Sequence, residues 1–155
     1  MFAEMNWLPA RDGDPRVFAL MRRHYSYREY ADGRRRNPAN PNRFQVVGPG
    51  EKMVLLTADC RALFIWRRFI DDSGQQGVCC AAFRNEGGEL SSRLILEAEQ
   101  LAWGRWPGER LYTHVNQRRV RSTNPGYCFL VAGWRRCGVT KRNGLLILEK
   151  LPSLS

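Results

Sequence analysis

The stretch Arg110–Trp134, RLYTHVNQRRVRSTNPGYCFLVAGW, decides how the rest of the chain is read. Leu111, Thr113 and Val115 alternate with Tyr112 and His114, the two-residue period of a strand. A polar, basic run follows, and Asn124-Pro125 then marks a helix start, since asparagine caps a first turn and proline at the first helical position forfeits no hydrogen bond. Gly133 suits the left-handed residue that ends such a helix. A strand that gives way through a polar loop to a helix start leaves backbone N–H groups without internal partners. An anion or a carbonyl can be held there.

Working outward toward the N-terminus, Gly77–Arg84 (GVCCAAFR) is small and apolar throughout, as in a central strand covered on both faces. Ser91 and Ser92 can cap a helix carrying Leu94, Ala98, Leu101 and Ala102 on one stripe, ended by Pro107-Gly108. A helix between two strands makes them parallel neighbours joined by a right-handed crossover. Earlier still, Phe44–Val47, Met53–Thr57 and Ala62–Phe69 look like antiparallel strands, punctuated by Gly48-Pro49-Gly50, by a turn at Ala58-Asp59-Cys60 and by Asp71–Gly74. Asp14-Pro15 opens a first helix with Val17, Leu20, Met21 and finally His24 on its buried face. Beyond Trp134, a strand to about Thr140 and a second from Leu145 to Lys150 flank the turn signal Asn143-Gly144. The expected architecture is α/β (α+β), a single domain over residues 1–155 with a mixed central sheet flanked by helices.

Charge narrows the partners. The 25 Lys and Arg against 15 Asp and Glu leave a net +10, nearly all of the excess being arginine, which binds phosphate as a bidentate fork. A polyanion such as DNA is therefore expected. Well-solvated surface charge is the plainer explanation. Tyr25–Asn42, YSYREYADGRRRNPANPN, mixes aromatic and basic residues that can stack on bases and grip phosphates, with Arg34, Arg35 and Arg36 exposed. No apolar run approaches the ~20 residues of a membrane span, and Met1–Ala10 lacks a basic region before an apolar core. No membrane partner and a cytoplasmic location are expected. The 5 cysteines lack CxxC spacing and there are only 2 histidines, so buried, reduced thiols are expected and no metal site.

This order of helix, antiparallel meander, central strand, crossover helix, parallel strand, helix and final strand pair resembles the GNAT acyltransferase fold, which binds acyl-CoA where its central strands splay apart. The family's Q/R-x-x-G-x-G/A loop is replaced by Asn85–Arg93, NEGGELSSR, and a tyrosine general acid, where the family uses one, would fall near Phe129, which gives no proton. Within that superfamily the chain is similar to the Mom-like DNA-modification proteins of bacteriophages. The matching pieces are His24-Tyr25-Ser26, the Pro49–Trp66 meander, Glu89–Arg93 and the Y-x-x-x-x-A-G-W ending at Tyr127–Trp134. The resemblance implies a transferase that attaches a group to a DNA base, with acetyl-CoA or another acyl-CoA as the small-molecule donor and the host cytoplasm as its location if phage-encoded. It places His24, Tyr25 and Ser26 near the reaction centre. The donor falls against Phe83, Arg84, Asn85, Ser91, Ser92 and Arg93, with Asn124 and Tyr127 at the second helix start.

Acyl transfer to an amine needs a base near the amine, donors for the oxyanion and an anion cradle. His24 is the preferred base, because an ordinary imidazole with a pKa of ~6.5 accepts a proton at neutral pH. A satisfied helix-end histidine is the competing reading. His114 shares a strand face with Tyr112, and Asn116 follows two residues on. A core-edge position explains these polar groups equally well. Ser91, Ser92 and Arg93 at a helix start can cradle phosphate or merely cap the helix. Arg118, Arg119 and Arg121, with Arg34 to Arg36, are candidate contacts to a DNA backbone. The tryptophans Trp66, Trp103, Trp106 and Trp134 are read as core. Two further functions compete: a GNAT N-acetyltransferase acting on a small amine or a protein, and a non-catalytic nucleic-acid-binding or host-interaction protein on the same scaffold.

Overall fold

The computed structural model describes residues 5–24, 39–70, 74–117 and 126–153. Its strands are β1 (Trp7–Ala10), β2 (Glu51–Thr57), β3 (Ala62–Arg68), β4 (Val78–Asn85), β5 (Leu111–Val115), β6 (Arg135–Val139) and β7 (Leu146–Lys150), and its helices α1 (Pro15–Met21), α2 (Ser91–Arg105) and α3 (Tyr127–Val131). They build a mixed sheet of 7 strands in the order β1-β2-β3-β4-β5-β7-β6. Strands β4 and β5 pair in parallel, the remaining neighbours antiparallel.

Alternation along β2 and β3 sends side chains to two separate cores. Leu55, Phe64 and Trp66 pack under α2 and α3 with Leu94, Ala98 and Phe129, whereas Val54, Leu56, Leu63 and Ile65 meet Val17, Leu20 and Met21 of α1. The sheet is therefore covered by α2 and α3 on one face and by α1 on the other. Helix α1 begins as its sequence requires: the Asp14 carboxylate accepts from the Arg16 amide at 2.9 Å, with proline in the first turn. Trp66, Trp106 and Trp134 are buried and Trp103 is half-buried, as core residues should be.

Four local expectations are corrected. Strand β1, a short edge strand containing Pro9, was not anticipated; it is docked by the Trp7 indole donating to the Leu94 carbonyl at 2.8 Å. Phe44–Val47 is not a strand, because the amides of Val46 and Val47 donate to the Asp12 carboxylate instead of a ladder. Ser91 and Ser92 do not cap α2: they are its first two residues, and the cap position is Leu90, with no side-chain cap bond. Of the cysteines only Cys80 is buried; Cys60, Cys79 and Cys128 are intermediate and Cys137 is exposed. Helix α3 starts after Gly126, and Gly133, at φ +97°, follows its end as expected. The Asn124-Pro125 start signal lies outside the described residues.

Candidate functional site

The parallel ladder between β4 and β5 has only three rungs, Val78–Leu111, Cys79–Tyr112 and Cys80–Thr113, although the strands run on to Asn85 and Val115. On the other side of β4 the register steps from Trp66–Cys80 to Ile65–Ala82, so Ala81 is an extra residue with no partner on β3. It stands in neither register. Such a bulge bends its strand and turns backbone groups out of the ladder. The Thr113 hydroxyl donates to the Cys80 carbonyl at 2.9 Å where the two strands part.

The divergence opens a slot of about 170 Å³. At the packing density of a protein interior this admits about ten non-hydrogen atoms. His24 enters it from the α1 side, Ala81, Ala82 and Phe83 from β4, Thr113 and His114 from β5, and Gly126, Cys128 and Phe129 from the start of α3. His24 lies on the α1 side of the slot, and the buried side chains of Val115 and Phe129, which belong to the core under α2 and α3, form its opposite wall. Leu111 and Val115 belong to the α2 core, so Tyr112 and His114 project toward the α1 face, their rings 5.6 Å apart. The two histidines thus meet at one cavity.

His24 lies just past the end of α1 and is 8% exposed. Burial, reinforced by the nearby Arg84 guanidinium, lowers its pKa to about 4, against a hydrogen bond to the Phe83 backbone that acts the other way. Its basicity is therefore well below the ordinary value the sequence suggested. It is neutral at physiological pH, with one donor and one acceptor nitrogen. Burial also raises the pKa of the Cys80 and Cys128 thiols, which keeps both protonated and unreactive. Phe129 is buried, edge-on to Trp134 at 4.8 Å and to Phe83 at 6.0 Å. The wall at that point is apolar.

Around the rim, Arg84 donates to the Arg23 carbonyl at 2.6 Å and shares the Glu86 carboxylate with Arg23. The two guanidiniums hold the Glu86 pKa down at about 2. Farther along, the Asn85 amide donates to the Glu89 carbonyl at 2.7 Å and to the Ser91 hydroxyl at 3.0 Å, while its oxygen accepts from the Gly87 amide at 3.0 Å. Ser92 is buried and Arg93 lies 3.7 Å from Glu89. Of the expected cradle, the Ser91 hydroxyl is thus engaged by Asn85, Ser92 is buried and Arg93 pairs with Glu89, leaving backbone amides at the start of α2. The loop before α2 borders a separate groove of about 570 Å³ toward β1 and the β2–β3 turn, with Asp59 and Glu89 in its wall. Two carboxylates make it a poor anion site.

The other candidates divide. Tyr127 is 61% exposed and, like Asn116, does not line the slot. Tyr25, Ser26, Arg34, Arg35, Arg36, Arg118, Arg119, Arg121 and Asn124 lie outside the described residues. Many described arginines serve the fold: Arg110 and Arg135 share Glu149, Arg68 joins Glu51 to Glu109, and Arg16 pairs with Asp14. Sequence reasoning missed Ala81, Cys80, Cys128, Arg23 and Glu86. A run of small residues, CCAA, has no period from which a bulge can be placed, whereas Arg23 could have been flagged by its adjacency to His24.

Compared with models of known protein families, with curated proteins and with solved structures, the chain matches none. Among the described residues, no cluster of three or more His, Cys, Asp or Glu is placed to hold a metal ion. None of the described helices is long and apolar enough to cross a membrane.

Proposed function

We propose that the protein is a GNAT-type transferase that moves an acyl or related group from an activated donor to an exocyclic amine of a DNA base. The observation that carries this reading is the slot where β4 and β5 diverge, walled by both histidines. An acyl-CoA, the donor supplied by the resemblance, would bring a carbonyl with a good leaving group. The slot suits its acyl end, while the Asn85–Arg93 turn makes a poor pyrophosphate seat because its polar side chains already bond one another.

His24 is assigned as the acceptor of the amine proton. A buried imidazole with a pKa of about 4 cannot deprotonate an alkylammonium at neutral pH. It can take a proton from a base amine, which is uncharged in water and sheds its proton only as the new N–C bond forms. That favours a nucleobase over a lysine or small alkylamine. The backbone at Ala81, turned out of both ladders, supplies polar groups for the carbonyl oxygen. Phe83 and Phe129 keep water from the reacting atoms. His114, beside Tyr112, orients the amine. The net charge of +10 supports a polyanionic substrate, and a duplex base would have to be flipped out to reach the slot.

The test is mass spectrometry of nucleosides from DNA co-expressed with the protein. A base with added mass is expected, and it should vanish with His24→Ala while circular dichroism stays native. Unchanged nucleosides in cells that accumulate the folded wild-type protein would overturn the proposal.

A further inference from the structure

Resting on the nucleic-acid reading above, we infer that Arg23 and Arg84 form a phosphate seat for the strand whose base enters the slot, and that Glu86 is the internal anion occupying that seat. Arg23 grips Glu86 with both arms of its fork, Nε to Oε2 at 2.7 Å and Nη2 to Oε1 at 3.0 Å, and the Nε of Arg84 donates to the same Oε2. Two cations on one carboxylate leave an excess positive charge. Arg84 is held independently of Glu86, because it also donates to the Arg23 carbonyl at 2.6 Å.

Position separates this cluster from another carboxylate shared by two arginines. Glu149, between Arg110 and Arg135, is buried and pairs with Tyr112 at the closed end of the β4–β5 ladder. Arg84 instead directly follows Phe83 of the slot wall, and Arg23 directly precedes His24. Side chains here are open to solvent, 50% for Arg23 and 28% for Glu86. A nucleotide with its base in a cavity holds its own phosphate just outside, within one sugar's reach. A phosphodiester carries the same charge as the carboxylate and matches a guanidinium fork as well. The strand phosphate can therefore take the place of Glu86 between the two forks, with Arg84 still tied to the Arg23 backbone.

Fluorescence anisotropy with a labelled single-stranded oligonucleotide tests this, using Glu86→Gln, Arg23→Gln, Arg84→Gln and, as a control of equal charge change at another exposed ion pair, Glu89→Gln. Glu86→Gln should tighten binding at least threefold more than Glu89→Gln, because it removes a competitor as well as a charge. Arg23→Gln should weaken binding by about tenfold and flatten the salt dependence by about one phosphate. Since Arg84 ties two elements together, Arg23, on the exposed side of the pair, is the decisive position if Arg84→Gln melts early. If the wild type binds and modifies DNA while Glu86→Gln and Glu89→Gln behave alike, the seat is wrong and the transferase reading stands. Glu86→Gln tightening CoA but not the oligonucleotide would assign the arginines to the donor and overturn the seat. Absence of oligonucleotide binding by the wild type at low salt would remove both.

Discussion

At the scale of the residue, His24 makes the clearest physical statement. An imidazole with a pKa near 6.5 in the unfolded chain and about 4 in the folded one is better protonated unfolded. The unfolded state therefore binds more protons between those values, and stability present above pH 6.5 is lost as pH falls toward 4, by up to roughly 3 kcal/mol. Urea denaturation at pH 7 and pH 5 should show the loss, and His24→Gln should remove most of it. Glu86 does not obscure the result, because a carboxyl lowered to about 2 contributes stability that fades only below pH 4.5. A wild type equally stable at both pH values would mean that the ring is solvated. Modification activity should likewise be flat through pH 6.5, where an ordinary histidine base would titrate. The sequence made His24 legible as a residue at the end of a buried stripe, but not its basicity, which depends first on how deeply the fold buries the ring and then on β4 bringing Arg84 beside it.

Elements show where local pattern suffices and where it does not. Strands β2 to β5, α1, α2 and the β6–β7 pair were legible because each carries a period or, as in β4, an unbroken apolar run, and is bounded by turn residues that admit few conformations. Strand β1 was not: four residues including Pro9 carry no period, and its place is set by Trp7 reaching α2, 87 residues away. Nor was the fate of Val46 and Val47, whose β-branched pattern is overruled by one carboxylate, Asp12. The bulge at Ala81 is the element-level feature on which the slot depends. Ala81 is exposed and lines the slot. Ala81→Leu should therefore change stability by less than about 1 kcal/mol, as surface substitutions usually do, yet abolish modification by filling the cavity. Loss of fold and activity together would show that the bulge tolerates no side chain. Gly126 is the opposite case. At φ +79°, with an added Cβ only 2.6 Å from Leu148 Cδ1, Gly126→Ala should cost about 2–4 kcal/mol in chemical denaturation from backbone strain and overpacking together. A cost below about 1 kcal/mol would show that the start of α3 can shift away from β7.

Across the whole molecule, α3 supplies one wall of the slot, and one buried cluster ties that helix to β7 and α2. Lys150 on β7 donates to the Glu99 carboxylate of α2 at 2.7 Å and to the Ala132 carbonyl, just past α3, at 2.8 Å, while the Trp134 indole donates to the other Glu99 oxygen at 2.8 Å. Glu99 is 1% exposed, and burial raises its pKa despite the lysine. Lys150→Met removes the cation and leaves this carboxyl without its counter-charge, a change that typically costs 3 to 5 kcal/mol, or about half the stability of a small domain. Glu99 would then answer by binding a proton. Its folded pKa would rise further above the unfolded value, so stability would decline as pH climbs through the folded value, and Lys150→Met should be better tolerated at pH 5 than at pH 8. Glu99→Gln with Lys150→Met removes both charges and should recover much of the loss at pH 8. Thermal melts of the two variants at both pH values decide the matter. A Lys150→Met deficit independent of pH would mean that the lysine acts through its carbonyl contact beyond α3 and not through Glu99.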